Sequence, residues 1–394
     1  MRKGWEYKKL GEVCDVINGL WIGKKEPFIN VAVIRNTNFS KDCQLNLDKV
    51  AFIDVEVKQF ASKKLKFGDI IIEKSGGSEK QPVGRPILFN ISDGNYSFSN
   101  FTSTLRIKDN TEVNSAYLHK CLYAFYLKGE TIKLQSKTTG LHNLNIKGYL
   151  RLNIPLPPLS TQLAIVSELD KINKLIRLKK EQLKDFDNLA QSLFYEMFGD
   201  SVENEKGWEV KKLREIALEK MSYGSGASAV PYNQKIRYIR ITDIDELGCL
   251  KKDIVSPNIC EDKYLLSDGD ILFARSGATV GKTFLFKSTY GSCIYAGYLI
   301  RLRPNTQIVI PEYVYHYTKT HYYRSFIESN QRVVAQPNIN AQQYSSLKLP
   351  LPPLPLQQQF AARIEAIERQ KQQVSETIKD LETLLASRMQ YWFD

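Results

Sequence analysis

The sequence has few of the residues that metal sites, disulfide frameworks and membrane spans require. Its 394 residues include four histidines and six cysteines, and no two cysteines are close enough for a Cys-x-x-Cys pair. This spacing argues against a zinc site and favours buried thiols in a reducing compartment. No apolar run approaches the ~20 residues of a membrane-spanning helix, and MRKGWEYKKL lacks the apolar block of a secretion signal. We therefore expect a cytoplasmic protein without a bound metal.

Positive charge, by contrast, is in excess. Lysine and arginine number 55 against 43 aspartate and glutamate, a net charge of +12. Residues 1–159 carry +9 and residues 205–354 carry +6, whereas 160–204 carry −2 and 355–394 carry −1. Because the excess lies in two long blocks, we expect each block to bind a polyanion such as nucleic acid.

The most informative pattern is an internal repeat. Four segments recur in one order at offsets that fall from about 205 to 195 residues. They are GWEYKKLGEV at 4–13 and GWEVKKLREI at 207–216, VIRNTNF at 33–39 and YIRITDI at 238–244, FGDIIIEKSGG at 67–77 and DGDILFARSGA at 268–278, and NIPLPPLSTQ at 153–162 and KLPLPPLPLQ at 348–357. The chain is therefore a tandem duplication with a slightly shorter second copy.

Each copy combines predicted strands with a late aromatic helix. Short β-branched stretches between Gly, Asn and Ser predict strands at Val31–Ile34, Ile70–Ile72, Ile236–Ile241 and Asp270–Phe273. Aromatic stretches at 116–127 and 312–327 predict amphipathic helices with Tyr117 and Tyr313 in the core. The following Pro-rich element cannot continue a helix or a central strand, so we expect an extended connector that ends the domain.

A heptad pattern follows each Pro-rich element. Apolar positions step alternately by four and three residues, with Lys179 and Lys371 as interruptions. The positions are Ile165, Leu169, Ile172, Ile176, Lys179, Leu183, Phe186, Ala190, Leu193 and Met197 in the first run, and Phe360, Ile364, Ile367, Lys371, Val374, Ile378, Leu381, Leu385, Arg388 and Trp392 in the second. Four heptads in phase predict a coiled coil, and long globular connections favour antiparallel pairing.

These patterns predict an α+β protein. Two mixed α/β domains form a tandem pseudo-twofold repeat, separated by two long helices in an antiparallel coiled coil. The predicted boundaries are 1–159 for the first mixed domain, 160–204 for the first spacer helix, 205–354 for the second mixed domain and 355–394 for the second spacer helix.

No motif supplies a catalytic site. Three residues separate Gly277 from Gly281, whereas the phosphate-binding P-loop needs four, and in the equivalent loop at 74–85 no Lys-Ser or Lys-Thr follows the glycines. Tyr223-Gly-Ser-Gly226 lacks a companion methyltransferase motif. Nothing assembles a nucleophile, a base and an orienting group. We predict a chain with neither a catalytic residue nor a cofactor of its own.

The same loops suit contacts to DNA. Cationic side chains beside Gly and Ser allow close approach to phosphates, and Arg, Lys, Asn and Gln match the edges of guanine and adenine. The predicted DNA-binding residues are Trp21, Lys24, Lys74, Ser75, Arg85, Lys137 and Asn143 in the first copy, and Tyr223, Ser225, Arg240, Arg275, Ser276, Lys282, Arg332, Gln336 and Asn338 in the second.

The whole chain resembles the specificity subunit of a type I restriction–modification system. The resemblance is carried by Gly-Trp-Glu-x-Lys-Lys-Leu at Trp5 and Trp208, by Gly-Asp-Ile followed by a basic residue and Ser-Gly, and by the Pro-Leu-Pro-Pro-Leu elements leading to Gln162 and Gln357. It implies two target-recognition domains that each read part of a bipartite DNA site, with paired helices as a ruler.

The resemblance also implies partners. Two modification subunits would bind S-adenosylmethionine and methylate adenine, and restriction subunits would cleave DNA with ATP and Mg²⁺. Three other classes remain open: a stand-alone DNA-binding regulator, an RNA-binding protein and an NTPase. A regulator is usually a smaller symmetric dimer, and RNA binding favours exposed aromatic platforms.

Overall fold

A computed structural model describes residues 4–394 except 22, 24, 41, 80, 139–140, 246–247, 252 and 332–337. Of Lys137, Thr138 and Ala278 it describes the backbone alone. The chain folds as two compact units. Unit 1 comprises Met1–Leu178 and Ile378–Asp394, and unit 2 comprises Lys179–Thr377. The division places one part of each long helix in each unit, so the functional boundaries at 159, 204 and 354 stay predictions.

Unit 1 combines short strands with one longer helix. Its strands are β1 (Glu6–Lys9), β2 (Cys14–Asn18), β3 (Phe28–Ile34), β4 (Ala51–Glu56), β5 (Ile70–Glu73), β6 (Ser75–Gly77), β7 (Pro86–Leu88), β8 (Tyr96–Phe98), β9 (Thr102–Ile107), β10 (Gln135–Thr138), β11 (Leu141–Leu144) and β12 (Asn153–Leu156). Its helices before the spacer are α1 (Leu10–Val13), α2 (Val57–Lys63), α3 (Ser115–Leu127) and α4 (Ile146–Tyr149).

The strands in the described residues of unit 1 form four small sheets. The central sheet is antiparallel in the order β2-β9-β5-β7, and β3 lies between antiparallel β4 and parallel β8. The Pro-rich strand β12 pairs with β1 in a two-stranded sheet, and β11 lies between β10 and β6. Pro155 is tolerated in β12 because a two-stranded sheet leaves one edge free of ladder bonds.

Unit 2 repeats this plan. Its strands are β13 (Glu209–Lys212), β14 (Ser222–Tyr223), β15 (Ala229–Pro231), β16 (Arg237–Ile239), β17 (Val255–Pro257), β18 (Ile271–Ala274), β19 (Thr283–Leu285), β20 (Cys293–Tyr295), β21 (Leu299–Leu302) and β22 (Lys348–Leu351). The central sheet runs β14-β21-β18-β19, β16 pairs in parallel with β20, and β13 pairs with the Pro-rich β22. Each arrangement matches one in unit 1, which confirms the duplication in three dimensions.

Two long helices follow the Pro-rich strands: α5 (Leu159–Phe198) and α10 (Leu354–Phe393). The shorter helices of unit 2 are α6 (Leu213–Ile216), α7 (Pro311–Tyr317), α8 (His321–Gln331) and α9 (Ala341–Ser345). The single helix predicted over 312–327 is wrong, because the chain turns between α7 and α8, where the Thr318 and Thr320 hydroxyls donate to backbone carbonyls.

Equivalent buried tyrosines and glutamines connect each domain to its spacer helix. The Tyr117 hydroxyl donates to Pro155 O at 2.7 Å, and Tyr313 donates to Pro350 O at 2.5 Å. Gln162 accepts from Asn114 N and donates to Pro157 O, while Gln357 accepts from Ile310 N and donates to Pro352 O. Both tyrosines are buried, as predicted.

The spacer helices pair within each unit. In unit 1, Ile165 and Leu169 from the beginning of α5 share a core with Met389 and Phe393 from the end of α10. In unit 2, Ala190 and Phe194 from the end of α5 pack with Phe360 and Ile364 from the beginning of α10. The contacts are antiparallel in both units, which agrees with the predicted coiled coil.

Polar side chains replace apolar ones at some positions of this seam, and two of them bond across it. Lys371 donates to Asp187 at 2.8 Å and to Glu368 at 2.9 Å, both within unit 2. In unit 1, Glu168 binds the Arg388 guanidinium and accepts a hydrogen bond from Trp392 Nε1. Such pairs fix which residues face each other, because an unpaired partner would lose its bonds.

All six cysteines are free thiols. Cys14, Cys43, Cys121 and Cys293 are buried, which agrees with the expectation, but Cys249 and Cys260 are exposed. No helix in the described part of the chain is long and apolar enough to cross a membrane.

We expect acid to destabilise unit 1 through His119. This side chain is buried in α3, and burial lowers its pKa to about 4, from an ordinary 6.5. The unfolded chain therefore binds the proton more readily, so stability is complete above pH 6.5 and falls as the pH drops towards 4. The loss would reach about 3 kcal/mol at 1.36 kcal/mol per pKa unit.

Urea unfolding at several pH values would check this. His119→Gln keeps an N–H that can reach the carbonyl of Pro86, which His119 Nε2 contacts at 3.3 Å. The variant should lose less stability between pH 6.5 and 4 than the parent chain. Equal losses in both would contradict the assignment to His119.

Candidate DNA interface

Four segments of unit 1 meet at one surface, here called loop surface 1: residues 20–21, 74–77 and 99–101, and strand β11. The amides of Lys74 and Ser75 both donate to Phe101 O, at 2.9 and 3.0 Å. Leu144 N donates to Lys74 O at 2.8 Å, and Leu20 N donates to Phe98 O at 2.9 Å. Backbone hydrogen bonds therefore hold the basic loop, residues 74–77, between the turn at 99–101 and strand β11. These bonds do not depend on which side chains the loop carries.

Polar side chains extend this bonding at loop surface 1. Ser75 Oγ donates to Asn143 Oδ1 at 2.5 Å, and Asn36 Nδ2 donates to Ser75 O at 2.6 Å. Burial lowers the pKa of Lys74, and burial together with the charge of Lys74 lowers that of Lys63. The structure thus brings together the predicted residues Lys74, Ser75 and Asn143.

Exposed aromatic side chains border this surface. Trp21 is 65% exposed, and its amide donates to Gln59 Oε1 at 3.2 Å. Phe101 is 45% exposed on the turn that binds the basic loop. Trp21 was predicted, whereas Phe101 was missed, although the repeat places an aromatic residue, Tyr298, at the equivalent position of the second copy.

Arg85 does not lie on this surface. Its side chain is buried and donates two hydrogen bonds to Glu73, at 2.6 and 3.1 Å, and one to Phe39 O. Removing a guanidinium from such a pair leaves a buried carboxylate without its partner. The guanidinium of Arg85 is used in an internal ion pair, so the structure contradicts the predicted contact of Arg85 with DNA.

Unit 2 presents the equivalent loop surface 2: residues 225–226, 275–277 and 296–298, and the segment at 338–339. Arg275 N donates to Tyr298 O at 3.1 Å, and Ile339 N donates to Arg275 O at 2.9 Å. Ser276 forms a β-bridge with Asn338, as Ser75 pairs with Asn143 in unit 1. The backbone scaffold is therefore the same in the two copies.

The side chains on loop surface 2 differ from those of unit 1. The Arg275 guanidinium lies 4.7 Å from the centre of the Tyr223 ring, and Arg275 Nε donates to Asn338 Oδ1 at 3.3 Å. The Tyr223 hydroxyl accepts from Ala341 N at 3.1 Å. Tyr223, Arg275, Ser276 and Asn338, all predicted, thus form one contiguous group.

A groove of about 420 Å³ adjoins this group in unit 2. Ser225, Arg240 and Tyr298 line it, together with the small residues Gly226 and Gly297. Tyr298 is 61% exposed at the rim. Two predicted residues, Ser225 and Arg240, are therefore brought into a concave site large enough for part of a ligand.

Lys282 is half-buried between a 3₁₀ turn, Gly277–Thr279, and strand β19. A P-loop would open a helix at this point, so the strand removes the NTPase interpretation of the loop. Lys24, Arg332 and Gln336 lie outside the described residues, and only the backbone of Lys137 is described. Within the described chain, no group of three His, Cys, Asp or Glu side chains could hold a metal ion.

The sequence and fold match a known family. The model of the type I restriction modification DNA specificity domain matches residues 2–185 and again residues 205–383. The chain belongs to this family. Since both matched segments are DNA specificity domains, the function of the chain is DNA sequence recognition within a type I restriction–modification system.

Several known proteins are similar to this chain over nearly its whole length. The type I restriction enzyme EcoKI specificity subunit of Escherichia coli (strain K12) is 24% identical over 392 residues, which cover 93% of this chain and 82% of that protein. The S subunit of M. genitalium has the same fold, with a TM-score of 0.56, 15% identity, and coverage of 98% of this chain and 95% of that chain. A chain from a solved structure of the type I R-M system gives a TM-score of 0.57 at 18% identity and covers 100% and 98%.

Proposed function

We propose that each loop surface reads one half of a bipartite site in double-stranded DNA, and that the two halves are separated by a fixed gap. The observation that carries this proposal is a repeated backbone scaffold on which the side-chain contacts differ between the copies. Ser75 and Asn143 recur as Ser276 and Asn338, whereas Lys74 is replaced by Arg275. Two domains that share a backbone scaffold but differ in their side-chain contacts can each recognise a different DNA half-site.

Phosphate contacts supply most of the affinity in this proposal. Both domain blocks carry net positive charge, and cations such as Lys74 and Arg275 stand on the loop surfaces. Since phosphate binding releases counterions, affinity should fall steeply as salt rises. Base edges then provide the sequence preference.

The catalytic steps belong to partners in this proposal. Two modification subunits bind S-adenosylmethionine and methylate adenine, and restriction subunits use ATP and Mg²⁺ to cleave DNA. The subunit itself binds no cofactor and acts in the cytoplasm. The proposal is supported by family membership and by the similar fold of a chain from a solved structure that concerns complex assembly of the type I R-M system.

Two measurements test the proposal together. Duplex DNA, single-stranded DNA and RNA are competed at several salt concentrations, and duplex DNA should bind best. The chain is then co-expressed with its methyltransferase subunit, and methylated adenines are mapped. We expect one split sequence with a constant gap. Preference for RNA, or methylation at an unsplit site, would contradict the proposal.

Arg275→Ala should weaken DNA binding without unfolding unit 2. Loss of one phosphate contact lowers the slope of log affinity against log salt by about one unit, for every DNA sequence alike. Arg214→Ala removes an equal charge from an exposed residue of α6 and serves as the control. An unchanged salt slope in folded Arg275→Ala would remove this loop from the interface.

A further inference from the structure

Arg240 is held in one orientation by a buried carboxylate. Arg240 Nε lies 3.0 Å from Asp243 Oδ2, and Nη2 lies 2.7 Å from Asp243 Oδ1. Asp243 is only 3% exposed, and its Oδ2 also accepts the Arg240 amide at 2.9 Å. Exposed Asp253 lies 3.6 Å from Nη2 as a second, weaker partner. The guanidinium is therefore fixed along its Nε–Nη2 edge, and Nη1 takes no part in these bonds.

The fixed guanidinium lines the groove of loop surface 2. Gly226, Ala227 and Gly297, which carry no side chain beyond a methyl group, line the same groove. The buried Tyr238 hydroxyl supports one wall by donating to the carbonyls of Ser225 and Ala227, both at 2.9 Å. The groove is therefore lined by a guanidinium of fixed orientation beside residues without bulky side chains.

The equivalent arginine in the first copy has no carboxylate partner at the matching position. The repeat aligns Arg240 with Arg35 and Asp243 with Asn38, both at an offset of 205. Asn38 Oδ1 accepts the Arg35 amide at 2.9 Å, as Asp243 accepts that of Arg240. However, Asn38 carries no negative charge, and the Arg35 side chain is exposed. The cap is thus common to both copies, whereas the carboxylate that holds the guanidinium belongs to the second.

We propose that Arg240 specifies a guanine in the half-site read by unit 2, with its outer Nη1–Nη2 edge donating to O6 and N7 of that base. The inference rests on the proposed function and names a base-reading residue within it. A phosphate contact needs free positive charge, and Asp243 already neutralises this guanidinium. Base reading instead needs a donor pair of fixed direction, which the carboxylate provides at low entropic cost.

The experiment selects DNA from a pool of randomised duplexes with the full chain. The parent chain should select a guanine at a defined position of one half-site. Arg240→Ala should select all four bases at that position and leave every other position unchanged. Its affinity for the parent site should fall roughly 5- to 150-fold, the range of one good bidentate base contact.

Two further variants keep the result interpretable. Arg240→Ala leaves the buried Asp243 carboxylate without its guanidinium, so the double variant R240A/D243N is prepared in parallel. Asn38 shows that asparagine can form the same cap in the first copy. Asp243→Asn alone should weaken the guanine preference while the charge of Arg240 is retained. Arg214→Ala is the control for charge removal.

Two outcomes would overturn the inference. If folded R240A/D243N still selects guanine at the same position, another residue reads it. If affinity falls equally for all sequences and the salt slope drops by about one, Arg240 contacts a phosphate. In both cases the chain still selects a split site, so the proposed function stands. A parent chain that selects no sequence would instead contradict the proposed function itself.

Discussion

Replacing residues 205–347 with the equivalent segment of another family member is expected to change one half of the recognised DNA sequence and to leave the other half intact. The segment carries all of loop surface 2 and none of loop surface 1. Each changed base pair costs about 1–3 kcal/mol, so a half-site with three changed pairs should lose roughly 3–9 kcal/mol of binding free energy. Mapping of methylated adenines in the reconstituted complex would show the new half-site.

The junctions of this exchange lie beside strands that the donor must match. Leu213 N donates to Leu347 O at 2.9 Å, and β13 pairs with β22. The Tyr313 and Tyr317 hydroxyls both donate to carbonyls of β22, which the recipient retains. A donor with tyrosines at both positions should therefore fold. The reciprocal exchange of 1–152 is the matched control, and simultaneous change of both halves in either chimera would disprove independent readers.

Lengthening both spacer helices by one heptad is expected to widen the gap between the half-sites. Seven residues, inserted after Leu178 in α5 and after Thr377 in α10, keep the heptad phase of both helices. The insertion adds about 10.5 Å at 1.5 Å per residue, or about three base pairs at 3.4 Å each. Methylation mapping should show the same bases on either side of a gap about three pairs longer.

A single insertion separates helix length from helix pairing. With seven residues added to α5 alone, the seam of one helix no longer matches that of the other, so we expect loss of stability rather than a clean change of gap. The doubly extended chain should recover its thermal stability. If it folds and methylates DNA with the original gap, the helices do not set the distance.

The repeat and the periodicity predicted the parts of the fold in which apolar burial dominates. Ile165, Leu169, Phe360 and Ile364 are buried where the heptads placed them. Phe194 was missed because it falls one step off the seam, yet it stacks on Tyr313 with ring centres 5.4 Å apart. A helix that also covers a domain buries more than the strip of a coiled coil, and only the folded domain shows which residues are added.

Ion pairs were harder to predict than apolar contacts. Arg85 precedes strand β7 and Arg275 follows strand β18, and both were predicted to contact DNA, but Arg85 is bonded to Glu73 inside the domain and Arg275 lies on the loop surface. Likewise Arg106 binds Asp69 and Arg303 binds Asp270, an equivalent pair in the two copies. Charge pairing depends on contacts across strands, so spacing along the chain does not disclose it.

Because each long helix is divided between the two units, unit 1 cannot complete its core until the whole chain has been synthesised. Met389 and Phe393 complete the core around Ile165 and Leu169, although about 200 residues of unit 2 lie between Leu178 and Ile378 in the chain. At a synthesis rate of roughly 5–20 residues per second, the ribosome needs on the order of 10–40 s to cross that interval. Unit 1 therefore leaves the ribosome with part of its hydrophobic core exposed. It must avoid aggregation until the end of α10 has been synthesised and packs against that core.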